Sequence, residues 1–305
     1  MPGAVAQGLI WGIMAIGVYI TYKILDVADL TVDGSFCTGG AVCVMMLMAG
    51  FDVGFALFAA FVVGLLTGLA TGFFHTFCGI SAILAGILTQ LGLWSVNLAI
   101  MGKANQSINV NNYQLLVSLR YLQEVLKGIR PFYWSPILVV SLFVAAIIAL
   151  LYWFFGTELG AAIRATGANL NMARAQGINT DFNKVLGLML SNGIVALSGG
   201  LLAQYQGFAD INMGRGAIVI GLAAVIIGEV LFARIFRNFA LRLLGVAAGA
   251  IIYYMVIQAV LWLRLDSNYL KLLSALVVAV FLAVPYWKGK YFSAAFARKG
   301  GADRA

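Results

Sequence analysis

Charge is what this sequence has least of. Asp, Glu, Lys and Arg together make up 10% of its 305 residues, against about 25% in an ordinary soluble domain. Histidine occurs once, as His75 in the turn FFHTFCGI, where a capping or interfacial place suits it better than catalysis. Three cysteines, Cys37, Cys43 and Cys78, lie in or beside apolar runs without a CxxC spacing. Such a set supplies neither a disulfide framework nor a metal site, and it reads as small buried thiols. No G-x-x-x-x-G-K-[ST] is present to cradle the phosphates of ATP, and no H-E-x-x-H or G-x-S-x-G. An intramembrane enzyme would need a nucleophile–base pair or a metal constellation, and the sequence spells out neither.

What fills the chain instead is apolar. Hydrophobic residues make up 63% and glycine contributes 35 positions, with a mean hydropathy of +0.99. The solvent of such a chain is lipid, and its small residues let helices approach closely. A helix crosses the hydrocarbon with about 20 apolar residues. By that measure there are nine candidate crossings, at about 6–25, 35–49, 52–73, 80–101, 136–155, 184–207, 216–232, 240–262 and 269–287. The second and seventh are short enough to be broken or to cross only in part. The first lacks the basic leader and small-residue cleavage site of a signal peptide and reads as a retained helix. The expectation is an all-α polytopic membrane protein forming one transmembrane domain over residues 1–305.

The net charge of +8 does not point to nucleic acid, because the cations are dispersed among loops and tail. They read as orientation signals. The links 157–184 and 233–242, the tail and Lys23 carry 12 of the Lys and Arg residues, leaving seven elsewhere: Lys103, Arg120, Lys127, Arg130, Arg215, Arg264 and Lys271. This places the C-terminus and the tail 288–305 inside and, with nine crossings, the N-terminus outside. Residues 102–135 then form one long extracytoplasmic loop. Its middle, LLVSLRYLQEVL, has Leu115, Leu119, Leu122 and Leu126 near helical spacing and reads as a surface-lying helix, either a lid or a docking surface.

Two short stretches resemble each other. ADLTVDGS (28–35) and ADINMGRG (209–216) each follow a long apolar segment and precede a short one. They are separated by five crossings, so the copies would have opposite orientation, as in the inverted repeats of transporters. Asp29, Asp33 and Asp210 then either cap the short helices or line the path. The other polar groups within apolar segments are mostly neutral: Thr89, Gln90, Ser95, Asn97, Ser191, Asn192, Ser198, Gln204 and Gln258. They can join helix to helix or wet a passage for a small polar solute. Thr89, Gln90, Asn97, Asn192, Gln204, Asp29 and Asp210 are the candidate path residues. Glu229 is the one acid deep in an apolar run and is expected to pair with Arg234 or Arg237. No chain of ionisable residues runs through the segments, which weakens a proton-driven carrier.

Between the fifth and sixth segments stands GANLNMARAQGIN (167–179). Asn169 is a good N-cap and Gly177 a good C′ residue, enclosing two turns rich in helix formers. It is too short and polar to cross, and it reads either as a knob that transmits force from a soluble partner or as an inert interfacial helix.

The stretch GTELGAAIRATGANLNMARAQGINTDFNKVLGLMLSNGIVALSGGLLAQYQGFADINMGRGAIVIGLAAVIIGEV resembles the permease subunits of ATP-binding-cassette (ABC) importers of the branched-chain amino acid and ribose group. It is most similar to the subgroup assigned to tryptophan or other aromatic amino acids. ILDVADLTVDGSF (24–36), residues 75–105 and LDSNYLKLLSALVVAVFLAVP (265–285) extend the resemblance nearly end to end. The RNFALRL link (237–243) is more basic than the pattern, and CGI stands at 78–80 where a basic residue often precedes the Ile.

The resemblance implies that Asn169, Leu170, Asn171, Met172, Ala173, Arg174, Ala175, Gln176, Gly177 and Ile178 form a coupling helix in the cytoplasmic link 157–183, seated on an ATP-binding subunit. Those subunits act as a pair, which implies a homodimer of this chain with the path near its axis. It further implies an external substrate-binding lipoprotein that delivers an aromatic or other hydrophobic amino acid. ATP and Mg belong to the partner, so this chain carries no cofactor of its own. The place is a bacterial inner membrane, with lipid around the chain. A sugar or nucleoside as solute, and an ion-gradient-driven carrier, are the alternatives.

Overall fold

A computed structural model describes residues 2–108, 113, 115–126, 135–232 and 238–262, with isolated positions at 272, 275, 276, 279, 280 and 283. Most of the ninth expected crossing, the whole tail 288–305, and Arg234 and Arg237 lie outside the described residues, as do 109–112, 114 and 127–134 of the long loop.

Helix α1 (Pro2–Tyr19) continues through a π turn, Ile20–Ile24. It is followed by α2 (Val32–Met48), α3 (Val53–Thr76) and α4 (Ala82–Met101). Then come strand β1 (Asn105–Ser107), α5 (Leu119–Leu126), α6 (Pro136–Gly156), α7 (Glu158–Ala168) and α8 (Leu170–Ala175). The chain continues with α9 (Thr180–Gln206), strand β2 (Phe208–Asp210), α10 (Ala217–Phe232) and α11 (Phe239–Trp262). Six of these helices, α1 with its π turn, α3, α4, α6, α9 and α11, are long and apolar enough to span a membrane, and α2 and α10 are shorter apolar helices. Each of the first eight segments read from the sequence has a helix in its place.

The core is organised by burial in protein rather than by water. Helices α1 and α9 are enclosed, whereas α3, α4 and α6 expose large apolar side chains such as Phe58, Val96 and Leu142, the surface expected of helices facing lipid. Helix α9 packs on both α2 and α3. The α2–α9 approach is set by glycine: a side chain on Gly39 would strike the carbonyl of Ala196, and one on Gly199 the carbonyl of Phe36. The two backbones therefore touch, as small-residue interfaces in membranes allow.

Helix α2 begins inside the bundle rather than at its edge. The π turn ends with Leu25 N–H bonded to Ile20 O at 3.0 Å and Val27 N–H to Thr21 O at 3.0 Å. Asp26 adopts φ +56°, and residues 26–29 have no regular secondary structure before α2 begins. In an apolar surround that exposed backbone must be satisfied locally. Asp29 does part of this: its Oδ1 accepts the Thr31 N–H at 2.9 Å and its Oδ2 accepts from Asn192 at 2.7 Å. Ser35 donates to Asn192 Oδ1 at 2.6 Å and meets Thr67 at 2.8 Å. The Thr31, Thr71 and Thr89 hydroxyls form a second chain, at 2.6 and 3.0 Å.

The long loop is tied down at both of its described parts. Strand β1 pairs antiparallel with β2, Asn105 opposite Asp210 and Ser107 opposite Phe208. This ladder is absent from the sequence reading, because three-residue strands give no periodicity. Helix α5 lies where the leucine spacing suggested, but starts at Leu119; Leu115 and Val117 instead bury themselves in the core in an irregular run.

Candidate functional site

Two regions could serve transport. The first is the α7–α8 end. Thr157 caps α7, its Oγ1 accepting the Gly160 N–H at 3.4 Å. Asn169 caps α8 by accepting the Met172 N–H at 3.0 Å, and Asn179 caps α9 by accepting the Phe182 N–H at 3.1 Å. Gly177 has φ +78° and sits where the last turn of α8 closes, with Ile178 N–H bonded to Ala173 O at 3.1 Å. The capping residues named from sequence thus make the caps, because they act within four residues of themselves.

Helix α8 is held to the bundle by few contacts. Ala173 is buried and faces inward, while Asn171, Met172, Arg174, Ala175 and Gln176 are exposed. Arg174 Nε donates to Thr180 Oγ1 at 3.0 Å and Nη2 lies 3.4 Å from Asp181 Oδ1, fixing α8 to the start of α9. A side chain on Gly167 would overlap Ile24 O, so α7 presses directly on the end of α1.

Ionic contacts link other elements at this end. Lys23 Nζ lies 3.1 Å from Glu229, joining α1 to α10. The partners expected from sequence, Arg234 and Arg237, lie outside the described residues; among the described residues Glu229 pairs with Lys23, 206 residues away, because α10 packs beside α1. His75, in the last turn of α3, meets Ile80 O at 2.8 Å through Nδ1 and Lys184 at 3.5 Å through Nε2. It serves the α3–α4 turn.

The second region is a cleft of about 300 Å³ lined by Asp33, Gly34, Cys37, Gln90, Leu91, Trp94, Asn97, Ile211, Asn212 and Arg215. Here α2 and α10 begin side by side. Asp33 Oδ2 accepts the Gly216 N–H at 2.8 Å and Oδ1 the Ile218 N–H at 2.9 Å. Asp33 therefore caps α10, 184 residues away, while standing in the first turn of its own helix. Its charge meets the positive end of both helix dipoles. Asp210 Oδ1 accepts the Asn212 N–H at 2.7 Å, the same i to i+2 bond that Asp29 makes with Thr31.

The candidate path residues separate into two groups. Gln90 and Asn97 line this cleft, and Asp210 stands at its rim, bonded to Asn105 at 3.2 Å. Thr89, Asn192 and Asp29 belong to the buried hydroxyl and amide network between helices. Gln204 accepts from Leu116 N–H at 3.3 Å and donates to Cys43 at 3.3 Å. Asp33, read from sequence as either a cap or a path residue, caps α10 and also lines the cleft, whereas Trp94, Asn212 and Arg215 were not among the candidates. The signal that could have found Arg215 is its place in the repeated stretch, an arginine between two glycines ahead of an apolar helix.

Apolar helices of crossing length, an irregular break ahead of α2 and a capped knob at one end define a multi-pass membrane protein. The chain belongs to the family described as branched-chain amino acid transport system / permease component, whose profile matches residues 2–285. It is the permease of an ABC transport system, a transport subunit of the bacterial inner membrane rather than a catalytic enzyme. It is 39% identical over 277 residues to a tyrosine transport system permease protein of Clostridioides difficile (strain R20291), covering 91% of this chain and 88% of that protein. It is 34% identical to an uncharacterized protein of Rickettsia prowazekii (strain Madrid E), covering 92% and 95%. It is 28% identical to the autoinducer 2 import system permease protein LsrC of Escherichia coli (strain K12 / DH10B), covering 80% and 61%. No solved structure matches the chain. The family implies an ATP-binding subunit and a substrate-binding protein in the same system.

Proposed function

We propose that this permease imports an aromatic amino acid, tyrosine foremost, delivered by an external binding protein and driven by a pair of ATPases seated on the α8 helices of two copies. The observation that carries the solute class is the 39% identity, across 91% of the chain, to a permease named for tyrosine transport. The mechanical half rests on α8: a doubly capped helix, exposed on Asn171, Met172 and Arg174 and anchored through Ala173, is a rigid handle on α7 and α9. Closure of the ATPase pair on ATP would push α8, and α7 would carry that push to the end of α1 at Gly167.

The chain crosses nine times with the α7–α8 end inside. Lys23, Arg164, Arg174, Lys184 and Arg242 all lie at that end, which supports this orientation by the Lys/Arg rule. The two short helices α2 and α10 meet at Asp33 from the two copies of an inverted repeat. The matching Asx bonds of Asp29 and Asp210 support that symmetry. Gln90, Asn97 and Asp210 belong to the solute's route, while Thr89, Asn192, Gln204 and Asp29 shape the wall behind it.

The test is reconstitution of the permease with its ATP-binding subunit and binding protein in liposomes. ATP-dependent uptake of labelled tyrosine is expected, competed by phenylalanine and tryptophan. Uptake by the permease alone on an ion gradient, or uptake of a sugar or nucleoside without any amino acid, would overturn the proposal.

A further inference from the structure

Three features of the α2–α4–α10 cleft are left with unused binding capacity by the contacts among the described residues. The first is Arg215. It immediately precedes Gly216, whose N–H is held by Asp33, and Gly34 beside Asp33 packs on Gln90. Gln90 is about 12 Å along a helix of about 30 Å, so Arg215 stems from the interior of the apolar layer. It is exposed there, and a guanidinium at such depth is costly unless it faces protein or water. The start of a helix is also the wrong end for a cation, so Arg215 does not stabilise α10.

The second feature is Asn97. Its side chain is 1% exposed, it lines the cleft, and although its amide hydrogen-bonds Cys37, its Oδ1 accepts no hydrogen bond among the described residues. A buried acceptor left without a donor is costly. The third is Trp94, 51% exposed on the same wall. An aromatic face beside a cation and an orphaned acceptor offers stacking, a carboxylate partner and an ammonium partner within one cleft. Its volume of about 300 Å³ is at the small end of ligand sites. Asp33 is not available to the solute in the same way, since each oxygen already takes a backbone N–H at the start of α10.

We propose that this cleft is a transit subsite for the amino acid inside the permease. Arg215 holds the α-carboxylate, Asn97 Oδ1 accepts from the ammonium, and the ring of an aromatic solute lies on Trp94. The proposal rests on the amino acid import function given above. It makes the permease itself a second filter after the binding protein, with the head of the solute turned toward α10 and its ring toward α4.

The test uses the full complex in liposomes, with labelled tyrosine and saturating binding protein. Arg215→Gln is expected to lower the maximal uptake rate about tenfold or more, with the half-saturating concentration of loaded binding protein unchanged. ATP hydrolysis stimulated by that protein should stay within about twofold of wild type, and Arg215→Lys should recover part of the uptake. Asn97→Leu is expected to slow uptake similarly, and Trp94→Phe to keep more of it than Trp94→Ala. The subsite is refuted alone if wild type carries tyrosine and both Arg215→Gln and Asn97→Leu carry it at full rate. It is also refuted if uptake and stimulated hydrolysis fall together in Arg215→Gln without recovery in Arg215→Lys, the sign of damaged packing. A wild-type complex that moves no amino acid overturns the import function and the subsite together.

Discussion

Met172 separates the mechanical role of α8 from its role in the fold. It is 63% exposed and stands three positions after the Asn169 cap, donating its own N–H to that cap. Met172→Asp removes no contact from the core, and a carboxylate in the first turn of a helix is mildly favourable. Stability should therefore move by no more than about 0.5 kcal/mol, as for other surface changes. If an ATPase groove covers this side chain, the substitution forfeits about 1.5–3 kcal/mol of apolar burial and adds the desolvation of a charge. At about 1.4 kcal/mol per decade, that is roughly a ten- to hundredfold loss of affinity at each knob. The assay pairs thermal melting of the purified permease with titration of the ATP-binding subunit and with uptake in liposomes. An unchanged melt with lost association is the expected result. Wild-type association and coupled uptake in Met172→Asp would refute the assignment of α8 as the contact. Ala173→Asp is the poorer probe, because Ala173 is 3% exposed and a carboxylate there would disrupt the anchorage of the knob itself.

Asn169→Ala should weaken α8 by about 1 kcal/mol through loss of the bond to Met172 N–H, read as faster amide exchange over residues 170–176, with Asn169→Ser close to wild type. Asn192→Leu removes both the donor to Asp29 and the acceptor of Ser35, leaving a buried carboxylate short of a partner. It should destabilise the permease by at least about 2 kcal/mol, seen as a lower melting temperature in detergent, whereas Gln204→Leu, which loses weaker bonds to Leu116 and Cys43, should cost less.

Much of this architecture is legible in sequence because lipid simplifies the code. A crossing needs a long apolar run, so eight helices fall where the runs are. The caps of α8 are equally legible, since Asn169 and Gly177 act on neighbours in the chain. What fails to show is anything decided by the rotation of one helix against another. Gln90 and Asn97 are seven residues apart on α4 and reach the cleft, while Thr89, beside Gln90, turns to Thr71; hydropathy alone does not distinguish them. The attachment of Asp33 to α10 and of Glu229 to Lys23 joins residues about two hundred positions apart, beyond any local pattern. Trp94 and Arg215 were passed over because an exposed aromatic and a loop cation are ordinary in a membrane chain until their shared cleft is seen.

The antiparallel pairing of Asn105–Ser107 with Phe208–Asp210 has a mechanical implication of its own. Only five residues separate Asp210 from Gly216, whose amide is clamped by Asp33, and Cys37 on the same α2 turn reaches the carbonyls of Asp210 and Ile211 at 3.4 Å. A tug on the loop after α4 is thus delivered through a short, hydrogen-bonded run of turns to the roots of both short helices. The paired strands and the break ahead of α2 are in effect two ends of one lever.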